Sequence, residues 1–326
     1  MAGNHTQTKF VLLGIADSPF AQTPLFVLFL LIYIVTLVGN VGIISLVRMS
    51  PSLHTPMYFF LTHFALIDIC YSTAISPRML ADLLSEDKTI SFTGCMMQFL
   101  TFVFFGSAEC YLLAVMAYDR HIAICHPMLY VTIISNHVCW QLVASSYLFA
   151  FLSAILCTWY TFGCSFCGPS HINHFFCDVV PVLNLVCPDN HSSEMVIFAF
   201  LTINVVGTSV VILLSYISIL CTVLRMCSAQ SRARAFHTCA SHLMAIIIFF
   251  GTGFFMYLQP PSSHKSLDKV ASLFYTVVTP MLNPFIYSLR NKEVKGALLK
   301  FEESIRSLFT FSLEAMCARR HLRGTS

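Results

Sequence analysis

The chain alternates long apolar segments with short polar ones, and the pattern occurs seven times along its length. The apolar segments are, approximately, Pro24–Val47, Met57–Leu84, Cys95–Tyr118, Val138–Gly163, Met195–Leu224, His242–Leu258 and Val270–Leu289. About 20 apolar residues in a helix cross a hydrocarbon core of roughly 30 Å, because each residue adds about 1.5 Å. Since no water reaches the backbone at that depth, such segments must satisfy their own polar groups as helices. The pattern therefore predicts an all-α membrane protein, a bundle of seven transmembrane helices.

Composition and charge narrow the class of protein and indicate how the chain is oriented in the membrane. Of the 326 residues, 57% are hydrophobic and 10% are charged, whereas about a quarter of a typical soluble domain is charged. If the N-terminus lies outside the cell, 13 of the 18 Lys and Arg residues fall on the inner side. Basic residues collect in cytoplasmic loops, so this distribution favours an external N-terminus. We expect membrane lipid to surround the chain, and we expect it to bind no nucleic acid.

The predicted organisation is a single seven-helix domain over residues 1–326. Residues 1–23 form an extracellular N-terminus, residues 24–290 the helix bundle, and residues 291–326 a cytoplasmic helix and tail. Asn4 begins an Asn-His-Thr glycosylation acceptor, which agrees with this orientation. After the seventh segment, apolar residues recur at steps of four and three, at Val294, Leu298, Phe301, Ile305 and Leu308. That spacing, with basic residues interspersed, predicts a short amphipathic helix at the membrane surface.

Four cysteines are expected to face the oxidising exterior, where disulfides form. They are Cys95, Cys167, Cys177 and Cys187, and Cys164 lies at the membrane boundary. Four cysteines allow three sets of pairings, which sequence reasoning does not separate. In the tail, Cys317 is a candidate for palmitoylation, although an unmodified thiol is the favoured interpretation.

The segment from Cys164 to Glu194 is long for a connection between helices, and long structured loops are commonly functional. Its run His174-Phe175-Phe176-Cys177-Asp178 contains an imidazole, a thiol and a carboxylate, all of which are metal ligands. A disulfide at Cys177 would consume the thiolate. A metal site in this loop is therefore the less favoured interpretation.

Charged residues inside the apolar segments are functional candidates, because each is costly in a membrane unless it is paired or hydrated. Asp68 lies in the middle of the second segment and Glu109 inside the third. Asp119 and Arg120 stand side by side at the inner end of the third segment. An isolated Asp-Arg pair is a weak signal, but this one is flanked by seven apolar segments, which indicates a signalling receptor.

Five motifs in order along the chain resemble those of one family. They are PMYFFL at Pro56–Leu61, MAYDRHIAICHP at Met116–Pro127, Ser215-Tyr216, RAFHTCASH at Arg234–His242, and PMLNPFIY at Pro280–Tyr287. In these motifs, and over nearly its whole length, the chain resembles the olfactory receptors, a branch of the rhodopsin-like G-protein-coupled receptors. It departs from the usual pattern at His121 (usually Tyr), His237 (usually Ser) and Phe250 (usually Tyr). The last change removes a hydroxyl group from the binding region.

The resemblance implies two disulfides and a polar centre. Cys95 would pair with Cys177, and Cys167 with Cys187, so that the long loop forms a lid above the ligand. Four polar residues would meet within the bundle: Asn40, Asp68, Glu109 and Asn283. Two neighbouring carboxylates do not both stay ionised cheaply, so this centre would hold Na⁺ at Asp68 and Glu109 or share a proton. Polar contact between helices, without a regulatory role, is an equally open interpretation.

The resemblance also implies a switch for coupling to a G protein at the inner end of the bundle. Asp119 would hold Arg120 at rest, and release would free the guanidinium donors for carbonyl groups of a partner. Pro284, beside Asn283, interrupts the seventh helix because proline removes a backbone hydrogen bond. By analogy with related receptors, Tyr216 and Tyr287 would meet across the opened inner face.

The predicted ligand site lacks an anchoring charge. Amine receptors of the superfamily carry an Asp where this chain has Phe102. The candidate ligand residues are Phe102, Val103, Gly106, Ser107, Phe200, Asn204, Phe250, Gly253, Phe254, Tyr257, Leu273 and Thr276. Such an apolar cavity suits a small, weakly polar, volatile molecule. Asn204 and Tyr257 are the predicted orienting groups, because polar groups in an apolar pocket discriminate sharply between ligands.

The resemblance therefore implies an odorant receptor of the plasma membrane that activates a stimulatory, olfactory-type heterotrimeric G protein and raises cAMP. We expect no cofactor and no enzymatic activity, since the sequence has no HExxH helix, GxSxG elbow or Gly-rich phosphate loop. The main alternative is a rhodopsin-like receptor for a non-odorant small ligand outside the olfactory epithelium. A transporter is less favoured, because the seven segments show neither internal repeats nor paired broken helices. An intramembrane enzyme that uses Asp68 and Glu109 is less favoured, because the motif match accounts better for both residues.

Overall fold

The computed structural model describes residues 8–15, 18–187, 191–257, 265–290, 294 and 296. Within them the side chains of residues 19, 191–194, 234, 237, 238, 254–257, 265–268 and 288–290 are not described. The glycosylation acceptor Asn4, most of the predicted amphipathic helix and Cys317 lie outside the described residues.

Helices dominate the described part of the chain. They are α1 Pro19–Met49, α2 Pro56–Leu84, α3 Phe92–Cys125, α4 Tyr130–Ile133, α5 Asn136–Phe162, α6 Val179–Leu183, α7 His191–Arg225, α8 Ala229–Tyr257, α9 Lys265–Leu273 and α10 Thr279–Arg290. A π-helical turn, Phe274–Val278, joins α9 to α10, and a short 3₁₀ turn, Pro51–Leu53, precedes α2.

Seven of these helical units correspond to the seven predicted spans: α1, α2, α3, α5, α7, α8 and the continuous run from α9 to α10. Among the described residues, six helices are long and apolar enough to cross a membrane, judged by length and composition. The sixth span, α8, has a shorter apolar stretch at Cys239–Gly253, because its first turns are polar and basic. The predicted seven-helix bundle is thereby confirmed.

The helix starts follow local sequence chemistry. Proline occupies the first turn of α1 and of α2, where its missing N–H group costs no hydrogen bond. The hydroxyl of Ser91 accepts from the N–H of Gly94 at 3.0 Å and caps α3. Ser135 caps α5 in the same way.

The third span is central, since α3 packs against α2, α5 and α7. Its buried side chains include both apolar residues and the charged Glu109, Asp119 and Arg120. On the outside of the bundle, large apolar side chains such as Val38 and Leu214 are exposed. Exposed aliphatic surface of this kind suits a lipid environment.

A small three-stranded sheet at the outer end was not predicted. Strands β1 (Lys9–Leu12), β2 (Thr89–Ser91) and β3 (His171–Ile172) are arranged in the order β2-β1-β3. β1 is antiparallel to β2 and parallel to β3. Phe10 and Leu12 of β1 are fully buried, so the N-terminal segment is part of the outer core. The strands are too short for their alternation to stand out in the sequence.

Candidate functional site

The inner end of α3 holds a buried ion pair. Arg120 Nη2 lies 3.0 Å from Asp119 Oδ2, and the Tyr130 hydroxyl of α4 donates to Asp119 Oδ1 at 2.8 Å. Burial and the neighbouring Asp119 carboxylate raise the pKa of Tyr130, so its phenol remains a proton donor. The carboxylate thus has a partner on each oxygen. Sequence reasoning missed Tyr130, because only the folded inner loop brings it to Asp119.

The two tyrosines of the predicted switch have different surroundings. The Tyr216 hydroxyl is hydrogen-bonded to His242 Nδ1 at 2.8 Å. The Tyr287 hydroxyl is buried and has no hydrogen-bond partner among the described residues, and its ring packs edge-on against Phe64. Tyr216 is therefore hydrogen-bonded to α8, and among the described residues the Tyr287 hydroxyl makes no hydrogen bond to it.

Asn40 supplies a hydrogen bond that the seventh span lacks because of Pro284. In a regular helix, the N–H of residue 284 would donate to the carbonyl of Pro280, but proline has no N–H. The Asn40 amide donates to that carbonyl at 3.1 Å and to the carbonyl of Thr36 at 3.0 Å. Gly39 permits this approach, because a Cβ there would lie 3.0 Å from the Pro284 ring. Asn40 therefore contacts the kink, and within the described residues neither of its side-chain hydrogen bonds reaches a carboxylate.

The other three residues of the predicted polar centre lie deep in the bundle. Asn283 Nδ2 donates to Asp68 Oδ1 at 3.2 Å and to Oδ2 at 3.0 Å. Glu109 is fully buried, interacts electrostatically with Asp68, and has no hydrogen-bond partner for either oxygen within the described residues. An unpartnered buried carboxylate requires a proton or a cation.

The long outer loop is joined to the bundle by covalent and hydrogen bonds. Disulfides link Cys95 to Cys177 and Cys167 to Cys187, with Cα atoms 5.6 and 4.9 Å apart. The Cys177 N–H also donates to Gln98 Oε1 at 3.1 Å. In the described part of the chain, no cluster of three His, Cys, Asp or Glu side chains could hold a metal. With its thiol in a disulfide, Cys177 offers no thiolate ligand.

Four further polar groups connect this loop to the seventh span. Tyr275 Oη donates to Asp178 Oδ2 at 2.8 Å, and Ser272 Oγ lies 3.1 Å from both Tyr275 Oη and His174 Nε2. Burial, together with the charge of Lys269, lowers the pKa of His174 to about 3. The imidazole is therefore neutral, and its 4.0 Å approach to Asp178 is not an ion pair. No sequence pattern indicates these contacts, which join residues nearly 100 positions apart.

Phe102 lies in an aromatic cluster directly beneath the loop. Its ring centroid is 4.9 Å from that of Phe176, 5.7 Å from Tyr71 and 6.2 Å from Tyr275. The remaining described ligand candidates are buried or half-buried: Val103, Gly106, Ser107, Phe200, Phe250, Gly253, Leu273 and Thr276. The Thr276 hydroxyl donates to the Ser272 carbonyl of its own helix. The side chains of Phe254 and Tyr257 lie outside the described residues.

Asn204 lies where three helices meet. Its Nδ2 donates to Ser153 Oγ at 3.3 Å and to the Phe200 carbonyl at 2.8 Å, while its Oδ1 accepts from the Tyr111 hydroxyl. The bonds to Ser153 and Tyr111 join α7 to α5 and α3. A ligand that bonds to this amide would have to share it with these contacts or replace one of them.

Seven spans, a paired Asp-Arg at the inner end and a disulfide-linked loop at the outer end describe a G-protein-coupled receptor. The sequence model described as "Olfactory receptor" matches residues 29–303. The chain is 53% identical to Olfactory receptor 5AP2 of Mus musculus over 294 residues, which are 90% of this chain and 93% of that protein. It is 50% identical to Olfactory receptor 8U3 of Homo sapiens, over 90% of this chain and 91% of the relative. It is also 50% identical to Olfactory receptor 5B12 of Homo sapiens, over 92% and 96% respectively.

The chain belongs to the olfactory receptor family. It is accordingly a multi-pass protein of the plasma membrane and a receptor, not an enzyme. The family resemblance drawn from the five sequence motifs is confirmed.

Proposed function

We propose that the receptor binds a small, weakly polar, volatile ligand inside its bundle and activates a stimulatory, olfactory-type G protein that raises cAMP. The observation that carries the proposal is the uncharged aromatic cluster around Phe102 beneath the disulfide-linked loop. An apolar enclosure of this kind favours a ligand that loses little hydration on entry. Family membership supports the G-protein coupling.

The ligand would contact the predicted residues of the third, fifth, sixth and seventh spans. Ser107, buried one helical turn below Phe102 and Val103, would offer a hydroxyl group from α3. Tyr257 and Asn204 remain our proposed orienting residues, and Asn204 would exchange one of its three hydrogen bonds for a bond to the ligand. Substitution of a residue that bonds a ligand hydroxyl or carbonyl would change selectivity more than substitution of an apolar neighbour.

At the inner end, activation would separate Arg120 from Asp119 and free the guanidinium for carbonyl groups of the G protein. The second partner of Asp119, Tyr130, would oppose this separation by keeping the carboxylate in place. Release of Tyr216 from His242 would allow it to move toward Tyr287, with the kink at Pro284 as the movable point.

Two further roles complete the proposal. Asp68, Glu109 and Asn283 would form an intramembrane site for Na⁺ or a shared proton, supported by the unpartnered oxygens of Glu109. The two disulfides would keep the outer loop over the ligand, and Asn4 would carry the glycan. The single seven-helix domain would provide all of these functions.

The decisive experiment is a cAMP reporter screen of the receptor, co-expressed with a stimulatory olfactory-type G protein, against a panel of small volatiles. We expect at least one volatile to raise cAMP in the wild type. Phe102→Ala should shift or abolish that response, while Phe20→Ala, a change on the exposed outer surface of α1, should not. A panel without any active volatile, when non-volatile metabolites are active, would favour a receptor for another class of ligand.

The coupling step has its own test. Arg120→Ala should abolish the response to every active volatile, because it removes the buried guanidinium that would bind the G protein. Surface expression must remain at the wild-type level, and Arg225→Ala at the inner end of α7 serves as the matched control. Full signalling by Arg120→Ala would contradict the proposed switch.

A further inference from the structure

The four side chains His174, Asp178, Ser272 and Tyr275, here called the outer latch, form one connected polar group between the outer loop and the seventh span. All four are buried, with exposed fractions of 2%, 3%, 0% and 8%. A buried carboxylate is expensive, so its position between a backbone N–H and a phenol indicates a specific contact rather than incidental packing. The Asp178 oxygens accept from the Val179 N–H at 2.6 Å and from Tyr275 at 2.8 Å.

A second connection reinforces the first at the backbone of Gly14. Its N–H donates to the His174 carbonyl at 3.2 Å, and its carbonyl accepts from Lys269 Nζ at 2.8 Å. The N-terminal segment therefore crosses from the loop to the seventh span. Gly14 has a φ of 72°, a conformation that other residues adopt only with strain. This connection depends on a glycine at that position.

The latch adjoins the proposed ligand site. The Phe102 ring contacts Phe176 of the loop and Tyr275 of the seventh span, so one aromatic side chain touches both sides of the latch. A ligand that displaces the Phe102 ring would act on both sides together. The loop and the seventh span would then have to move together to keep their contacts with each other.

The seventh span is irregular where the latch meets it. Tyr275 lies in the π-helical turn Phe274–Val278, and the Thr279 hydroxyl donates to the Phe274 carbonyl at 2.9 Å. Single π turns inside helices are uncommon and are frequently found at functional sites, because they can revert to α-helix with a local rotation. Eight residues further along, Asn283 holds Asp68. Tyr275 of the latch and Asn283 of the polar centre thus lie eight residues apart in one span.

We propose that the outer latch keeps the loop closed over the ligand site in the resting receptor, and that separating Tyr275 from Asp178 frees both the loop and the seventh span. The closure of the loop is proposed from the fold and does not depend on the proposed function. The effect on signalling rests on the function proposed above. The latch is therefore a gate for ligand entry and an element that biases the resting state.

Closure is tested by amide hydrogen exchange on the purified receptor in lipid nanodiscs. Tyr275→Phe removes one hydroxyl and keeps the ring, and it should speed exchange in the loop around residues 174–183 by roughly tenfold or more. Tyr33→Phe is the matched control, since the Tyr33 hydroxyl bonds to Thr73 of α2 and not to the loop or the latch. Asp178→Ala should increase exchange at least as much, because it removes the acceptor for Tyr275 together with the cap on Val179. The double variant should exchange no faster than Asp178→Ala, because both changes remove the bond between Asp178 and Tyr275.

The effect of the latch on signalling is tested with the same variants in the cAMP reporter assay. Tyr275→Phe should raise ligand-independent cAMP about fivefold at equal surface expression, and Tyr33→Phe should leave it at the wild-type level. Loop exchange that is equal in Tyr275→Phe and Tyr33→Phe would overturn the latch. Faster exchange with unchanged basal signalling would overturn its coupling to the switch. A receptor that never raises cAMP would refute the proposed function, and the exchange result would still decide closure.

Discussion

The amide of Asn40 supplies a hydrogen bond that the backbone of the seventh span cannot make. Pro284 leaves the Pro280 carbonyl without its normal donor, and Asn40 reaches that carbonyl from α1, 240 positions away in the sequence. Without the amide, a buried carbonyl would lose its partner, which costs about 1–3 kcal/mol. A residue assigned to a polar centre by resemblance therefore has a second function in structure, at the kink.

We predict that Asn40→Ala lowers the stability of the receptor by roughly 1–3 kcal/mol, measured as a loss of thermal stability in detergent. The same substitution should cost much less in a Pro284→Ala background, because the alanine N–H can then donate to the Pro280 carbonyl. Asn136→Ala at the start of α5 controls for loss of an amide elsewhere. Equal costs in both backgrounds would show that the Asn40 bond to Pro280 contributes nothing specific.

At the scale of the helices and strands, the N-terminal segment is the least expected feature. Its strand β1 lies between β2 and β3, and the Val11 N–H donates to the Ser170 carbonyl at 2.8 Å. Because the second connection, at the backbone of Gly14, lies three residues further along, the strand positions that connection. The segment that precedes the first span is thus a component of the lid.

Val11→Pro should weaken the lid, because proline removes the N–H donor to Ser170 in a strand with partners on both sides. We expect faster loop exchange and reduced surface expression. Val11→Thr is the control, since it retains the N–H group and the branched side chain. Wild-type exchange in Val11→Pro would mean that β1 does not hold the loop.

Sequence reasoning located the seven spans because each one needs about 20 apolar residues, a signal that survives without any tertiary information. It could not locate β1, whose four residues carry too little alternation, or the π turn at Phe274–Val278, which has no compositional mark. The contacts of the Asn204 side chain could not be predicted from the sequence either. Its place on α7 is fixed by sequence, but the contacts with Ser153 and Tyr111 depend on how three helices pack.

At the scale of the whole molecule, polar groups lie at both ends of the bundle and between them. The outer latch lies at the loop and the Asp119–Arg120 pair at the inner end, with Asp68 and Glu109 between them. The seventh span contributes to both the latch and the central polar group, through Tyr275 and Asn283. Their charges within apolar segments made the central and inner residues candidates in the sequence, whereas the latch contacts join residues nearly 100 positions apart, which no sequence pattern indicates.

The last prediction concerns the binding of Na⁺ at the central carboxylates. If the cation bridges Asp68 and the unpartnered Glu109, binding to the folded state should raise the thermal stability of the receptor in NaCl relative to KCl at equal ionic strength. At a hundredfold excess over the dissociation constant the gain is about 2.7 kcal/mol, which is a shift of several degrees. Glu109→Gln should abolish the difference between the salts, while Glu86→Gln in an outer loop should preserve it. Equal stability of the wild type in both salts would instead favour a shared proton, because a proton bound between the two carboxylates does not distinguish Na⁺ from K⁺.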